Sequence, residues 1–220
     1  CREVTLHTWA GNTKAVPLYK KCGFHWEPDS NVFMRCFIPA VLRSPLGRAF
    51  FAERDWYACL ERDLTVAPDD LRWNGMRAYR YDFRDGEDAL SVIVDAASGE
   101  IAAVETPDLA VGCWAPVMEA HVGRAFPVRW HVRAPVGAAI EARVRASCDD
   151  GLTGALDERV EVLGETTLLR DFGVAADATP SREGERPPCV RTTVIAGGIE
   201  IPLAVGVTVR WPVEVHHAGR

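Results

Sequence analysis

Ala78-Tyr79-Arg80-Tyr81-Asp82-Phe83-Arg84-Asp85-Gly86-Glu87-Asp88-Ala89-Leu90-Ser91-Val92-Ile93-Val94-Asp95 decides how the larger part of this chain is read. Tyr79, Tyr81 and Phe83 alternate with Ala78, Arg80 and Asp82. After a turn at Asp85-Gly86, Leu90, Val92 and Val94 alternate with Ser91 and Asp95. Apolar residues two apart place one face of an extended chain in a core, and a turn pair between two such runs closes a hairpin.

Toward the C-terminus, Ser98-Gly99 turns the chain into Ile101-Ala102-Ala103-Val104, so residues 64–106 read as a β-meander. The same period continues through Leu109–Trp114, Val128/Trp130/Val132, Ile140/Ala142/Val144/Ala146, Val160/Val162, Leu168/Phe172/Val174 and Val190–Ile195. Residues 180–188, rich in proline and charge, have loop composition. Every odd position from Ile199 to Val215 is apolar, with Gly197-Gly198 as the hairpin turn before it. One strand of that length is unusual, so a break is expected at Pro202 or Gly206. Short alternating strands over residues 107–220 predict an antiparallel two-sheet sandwich. It is immunoglobulin-like in architecture only, because no defensible Cys…Trp…Cys frame accompanies it. Asp69-Asp70 and Asp149-Asp150 read as cap and turn acids.

Toward the N-terminus the period becomes helical. Leu46, Phe50, Phe51, Trp56, Cys59 and Leu60 form an apolar stripe. Ser44 before Pro45 offers an N-cap, and Asp55 offers a second at Trp56-Tyr57. Residues 41–63 are therefore expected to be a helical connector packed on the β region. Before it, Asn31–Ile38 is an apolar extended run that Pro39 is expected to stop.

The first two dozen residues read as strand, short helix, strand. Val4, Leu6 and Thr8 alternate with Glu3, Thr5 and His7, and Asn12 is placed as an N-cap. Ala15, Leu18, Tyr19 and Cys22 fall at helical spacing, and Gly23 stands where a left-handed C-terminal cap belongs. Pro17 cannot donate a backbone hydrogen bond, so the helix either starts late, near Lys14, or is bent.

Asn12, Ala15, Leu18, Tyr19, Gly23 and Phe24 together resemble, without a gap, the Asn-x-x-Ala-x-x-Leu-Tyr-x-x-x-Gly-Phe string of GNAT-family N-acetyltransferases. The resemblance covers about the first 40 of 220 residues. It implies that residues 1–40 are the C-terminal part of a GNAT α/β domain. The acyl donor would be acetyl-CoA and the acceptor a primary amine. Asn12 would lie beside the pantetheine arm of coenzyme A, and Tyr19 would protonate the departing thiolate. The family's pyrophosphate-cradling loop, Gln/Arg-x-x-Gly-x-Gly/Ala, has only near misses: Arg43–Gly47 and Arg133–Gly137 are one residue too long, and Arg72–Arg77 ends in the wrong residue. The chain is thus expected to be a fragment of a longer acetyltransferase, inactive alone. The open sheet edge at Val4–Trp9 would be a route to association.

Composition narrows the partners. With 48% hydrophobic and 25% charged residues the chain is ordinary for a globular protein, and its length suffices to bury about 70% of its surface. Residues 1–63 carry nine Lys/Arg against seven Asp/Glu, and the rest sixteen against twenty-four. An acidic β-rich region argues against a nucleic-acid partner. All three lysines, Lys14, Lys20 and Lys21, fall on the motif helix and read as a solvated face. Seven cysteines form no C-x-x-C pair and no histidines stand at ligand spacing. Reduced core thiols, no metal and a cytoplasmic location are expected, with His216-His217 a polar tail. No apolar run reaches the length of a membrane span, so no membrane partner is expected. The fold class is α+β: the end of a GNAT fold, a helical connector, then an antiparallel β-sandwich. A non-enzymatic β-sandwich binding or oligomerisation module is the alternative.

Overall fold

The computed structural model describes residues 1–212 apart from Pro68, Asp70 and Met118. Asp70, Val213, Val215, His216 and His217 of the sequence reading lie outside the described residues.

Strands β1 (Val4–His7), β2 (His25–Trp26) and β3 (Phe33–Cys36) form a small antiparallel sheet in the order β1-β3-β2, with helix α1 (Val16–Lys21) between the first two in sequence. Helices α2 (Ile38–Arg43), α3 (Pro45–Phe50) and α4 (Trp56–Cys59) follow. Then come β4 (Arg72–Trp73), β5 (Met76–Asp85), β6 (Asp88–Asp95), β7 (Ile101–Glu105), β8 (Ala110–Trp114) and β9 (Glu119–His121). Next are β10 (Ala125–Arg133), β11 (Ala139–Cys148), β12 (Leu152–Thr153), β13 (Leu156–Leu163) and β14 (Glu165–Val174). β15 (Cys189–Ala196), β16 (Ile199–Gly206) and β17 (Thr208–Arg210) complete the described chain. An eight-stranded sheet runs β12-β14-β10-β8-β7-β6-β5-β4 and a four-stranded sheet runs β13-β11-β15-β16. Pairing is antiparallel throughout, except that β17 lies parallel to β9.

The opening hairpin is β5–β6. Tyr79, Tyr81 and Phe83 are at most 2% exposed, and Leu90, Val92 and Val94 are fully buried. Gly86, φ +61, begins the two-residue loop with the sign that only a glycine takes freely. Asp95 departs from its reading as an outward residue. It is buried, and its carboxylate accepts from Ser98 Oγ at 2.5 Å and from the Gly206 amide at 2.9 Å. Burial pushes this carboxyl up, and those bonds oppose the rise.

The long C-terminal pattern breaks after Gly206, where the chain leaves one sheet and β17 joins β9. Pro202 is tolerated inside β16 because that strand is a sheet edge and its missing donor is not needed. β7 pairs with β8 through Ala103 and Gly112, so one sheet continues across residues 106 and 107. One apolar core runs from Cys36 to Val209, and a smaller one gathers Val16, Trp26 and Met34 beneath α1. Trp130 of β10, fully buried, donates from Nε1 to Thr192 Oγ1 of β15 at 2.9 Å and so ties the two larger sheets together.

The connector is three short helices and begins before residue 41. The extended run ends at Cys36, and Pro39, expected to stop it, instead sits in the first turn of α2, where its lack of an N–H is harmless. Ser44 Oγ caps α3 by accepting from Gly47 N at 3.0 Å, and Asp55 caps α4 by accepting from Tyr57 N at 3.0 Å. Among the described residues no helix is long and apolar enough to cross a membrane.

Candidate functional site

The motif helix is built from its caps. Asn12 Oδ1 accepts from the Ala15 amide at 3.2 Å, and its carbonyl accepts from Val16 at 3.0 Å, which holds a turn leading into α1. The helix starts late, at Val16, with Pro17 in its first turn, so no bend is needed. At the other end Gly23 has φ +81, its amide donates to Lys20 O at 3.0 Å, and Phe24 N donates to Tyr19 O at 3.1 Å. This pair of bonds is the Schellman arrangement that a left-handed residue permits.

The buried face of α1 is not the one its spacing suggests. Val16 and Lys20, four apart, are buried, whereas Leu18 is 58% exposed and Cys22 is exposed. Lys20 is no solvated residue: its side chain is 2% exposed and Nζ donates to Asp69 Oδ1 at 2.6 Å. Asp69 Oδ2 accepts from the Trp26 amide at 2.7 Å, and His25 Nδ1 stands 3.6 Å from Oδ1. Asp69 is therefore a half-buried anchor rather than a cap or turn acid. It fastens α1 and β2 to the segment before β4. Burial pushes its carboxyl up, but His25 and Lys20 outweigh burial and bring it down to about 2.

A folded-state value below the unfolded one means that Asp69 stabilises the fold above about pH 4 and loses that effect as pH falls toward about 2. The expected loss is about 2 kcal/mol. Urea unfolding of the wild type and of Asp69→Asn at matched pH values checks this. The variant should show the shallower acid dependence, and equal slopes would remove Asp69 from the account.

Of two clefts in this region, one borders the anchor and the other runs along β3. One, of about 490 Å³, includes His25, Asp69 and Tyr79, with the His25 ring 5.0 Å from Tyr81 and 5.9 Å from Tyr79. Tyr79 Oη is buried without a hydrogen-bond partner. Burial pushes its phenol up, and the Arg35 guanidinium pulls it back without meeting hydrogen-bond geometry. The other cleft, of about 600 Å³, includes Arg35, Glu27, Met34 and Met76. Arg35 bonds Glu3 at 2.8 Å and lies 5.0 Å over the Phe37 ring. Chemically, a His–Asp pair in a cleft can hold and pass a proton.

Asn12 and Tyr19 line neither cleft. Asn12 is exposed, and Tyr19 is half-buried with its ring edge-on to Phe24 at 6.2 Å. Asn12 Nδ2 and Tyr19 Oη bond to no described residue, so each keeps a donor for a ligand. Of the Lys20–Asp69–His25 constellation, only the residue types were visible beforehand. Lys20 and Asp69 lie 49 apart in sequence, beyond the reach of any local period. Among the described residues no cluster of His, Cys, Asp or Glu could hold a metal ion, and all seven cysteines are free thiols.

The chain is thus a β-rich α+β protein carrying a capped motif helix on a buried ion pair. Neither protein-family models nor curated protein sequences match it.

Proposed function

We propose that residues 1–40 form the C-terminal segment of a GNAT-type N-acetyltransferase and that the β region beyond the connector is an immunoglobulin-like sandwich appended to it. One observation carries this reading: the six motif residues fall in a strand, capped helix, strand arrangement that leaves Asn12 Nδ2 and Tyr19 Oη free to donate. In the reaction, a primary amine forms a bond to the acetyl carbonyl carbon of acetyl-CoA and the carbon–sulfur bond breaks. The amine's proton goes to a base, and Tyr19 gives its proton to the sulfur. Asn12 holds the coenzyme arm.

The test uses the intact parent protein with acetyl-CoA and a panel of primary amines, following release of free thiol. Amine-dependent thiol release is expected, and its absence with every amine would overturn the reading. The 220-residue chain alone is expected to bind acetyl-CoA weakly, because no Gly-rich loop supplies the charge-assisted bonds that a pyrophosphate needs. Calorimetry giving micromolar or tighter binding would contradict this.

A second reading, a non-enzymatic binding or oligomerisation module, draws on β1. Among the described residues β1 pairs only with β3, and Val4 and Trp9 beside its open edge are 43% and 69% exposed. Such an edge templates further pairing. Concentration-dependent dimerisation without acetyl transfer would favour this reading.

A further inference from the structure

We propose that the cleft between the α2–α3 corner and the strands β11, β15 and β16 is a binding site for a phosphate-bearing small molecule. Its volume is about 720 Å³, within the range of small-molecule sites. Arg2, Arg43, Arg48, Arg145 and Arg191 line it against a single carboxylate, Glu100. The whole chain carries a net charge of −6, so this concentration is opposite in sign to the protein around it.

Three of these arginines have carboxylate partners, Arg2 at Glu100, Arg145 at Glu200 (3.4 Å) and Arg191 at Asp149 (2.6 Å), and among the described residues Arg43 and Arg48 have none. Among the described residues the Arg43 guanidinium has no hydrogen bond or ion pair, and Arg48 only donates from Nε to the Arg43 carbonyl at 2.9 Å. Elsewhere on the same four-stranded sheet arginines meet their counter-charges: Arg143 bonds Asp157 at 2.6 Å, and Arg159 stands 3.7 Å from Glu141. The excess positive charge of the cleft therefore comes from the helical corner, where Arg43 and Arg48 stand without a carboxylate partner among the described residues.

Glu100 shows what the cleft accepts. Its carboxylate, 12% exposed, takes a bond from Arg2 Nη1 at 2.9 Å and stands 3.6 Å from Arg191 Nη1. Guanidinium forks receive phosphate oxygens in the same geometry. The buried Ile101, Leu203 and Ala204 give the cleft apolar wall for the remainder of a ligand. The unpaired cations of the helical corner, lining one cleft with the paired Arg145 of β11 and Arg191 of β15, suit a compact anion better than an extended acidic peptide. Neither Asn12 nor Tyr19 lines this cleft, so the inference does not depend on the acetyltransferase reading.

The experiment is calorimetric titration of the chain with inorganic pyrophosphate, with ATP and with a short polyglutamate peptide, at low and raised chloride. One-site saturable binding of pyrophosphate or ATP, weakening with salt, is expected. Arg43→Ala/Arg48→Ala should weaken it by at least about tenfold per arginine. Arg145→Ala repeats the test from strand β11, and the distant Arg84→Ala should change nothing. No saturable binding of either phosphate, arginine variants that bind like the wild type, or a polyglutamate peptide binding as tightly as pyrophosphate would each overturn the assignment.

Discussion

Lys20→Met is expected to lower the unfolding free energy by about 3 kcal/mol, because it takes a buried ammonium away from a half-buried carboxylate. The Lys20 side chain is 2% exposed and Asp69 17%, so solvent replaces the lost ammonium only in part. Methionine is nearly isosteric with the lysine stem, which confines the change to charge and hydrogen bonding. Asp69→Asn in the same chain removes the second charge while keeping an oxygen for the Trp26 amide, 2.7 Å away. The double variant should therefore recover at least half of the loss, since neither ion then has to be desolvated. Urea midpoints at unchanged slope measure each step, and the double-mutant cycle isolates the coupling. A single-variant loss under about 1 kcal/mol, or strictly additive losses, would show the pair to be no more than a solvated contact. The site depends on the answer. A six-residue helix has no stability of its own, so the positions of Asn12 and Tyr19 rest on Val16 and this pair.

Residues whose structure depends on near neighbours were legible in the sequence, and those whose structure depends on distant ones were not. Tyr79, Tyr81 and Phe83 declared a strand face because alternation is a property of the chain itself, and the face is buried as read. Gly23 and the Gly197-Gly198 pair, with φ of +81, +57 and +79, sit where only glycine enters the left-handed region freely. Ser44 and Asp55 cap the helices expected of them because a cap acts within one turn. Lys20 and Asp95 went the other way. Periodicity assigns a polar residue to solvent, yet Lys20 is held inside by Asp69, and Asp95 by Ser98 and Gly206. A buried polar group survives when partners satisfy it, and those partners were set by tertiary contacts that no window along the chain contains. For the same reason the face of α1 was misassigned: Leu18 matches the helical stripe but is 58% exposed, since the stripe that packs passes through Val16 and Lys20. The three near misses to a phosphate loop illustrate the limit from another side. Arg43 shares a cleft with Arg145 of β11 and Arg191 of β15, neighbours that its own stretch of sequence does not show.

Tyr19→Phe in the intact parent protein is expected to lower turnover of acetyl transfer by about 10²-fold while leaving the Michaelis constant for acetyl-CoA nearly unchanged. General acid catalysis spans about 10²–10⁴-fold, and the low end applies because a thiolate is already a fair leaving group. The phenol packs edge-on to Phe24 at 6.2 Å, a contact that phenylalanine keeps. Its hydroxyl bonds to no described residue, so removing it breaks no internal hydrogen bond, and stability should change by no more than about 0.5 kcal/mol. This separation gives the variant its value. Lys20→Met is expected to lower stability and displace α1, which would impair binding and turnover together, whereas Tyr19→Phe should leave the helix in place and affect the chemical step alone. Turnover, Michaelis constant and melting temperature measured on the same preparation distinguish the outcomes. A hundredfold turnover defect at wild-type melting temperature places the proton at Tyr19 Oη. Unchanged turnover would make Tyr19 a packing partner of Phe24 and remove the only acid assigned to the proposed transfer.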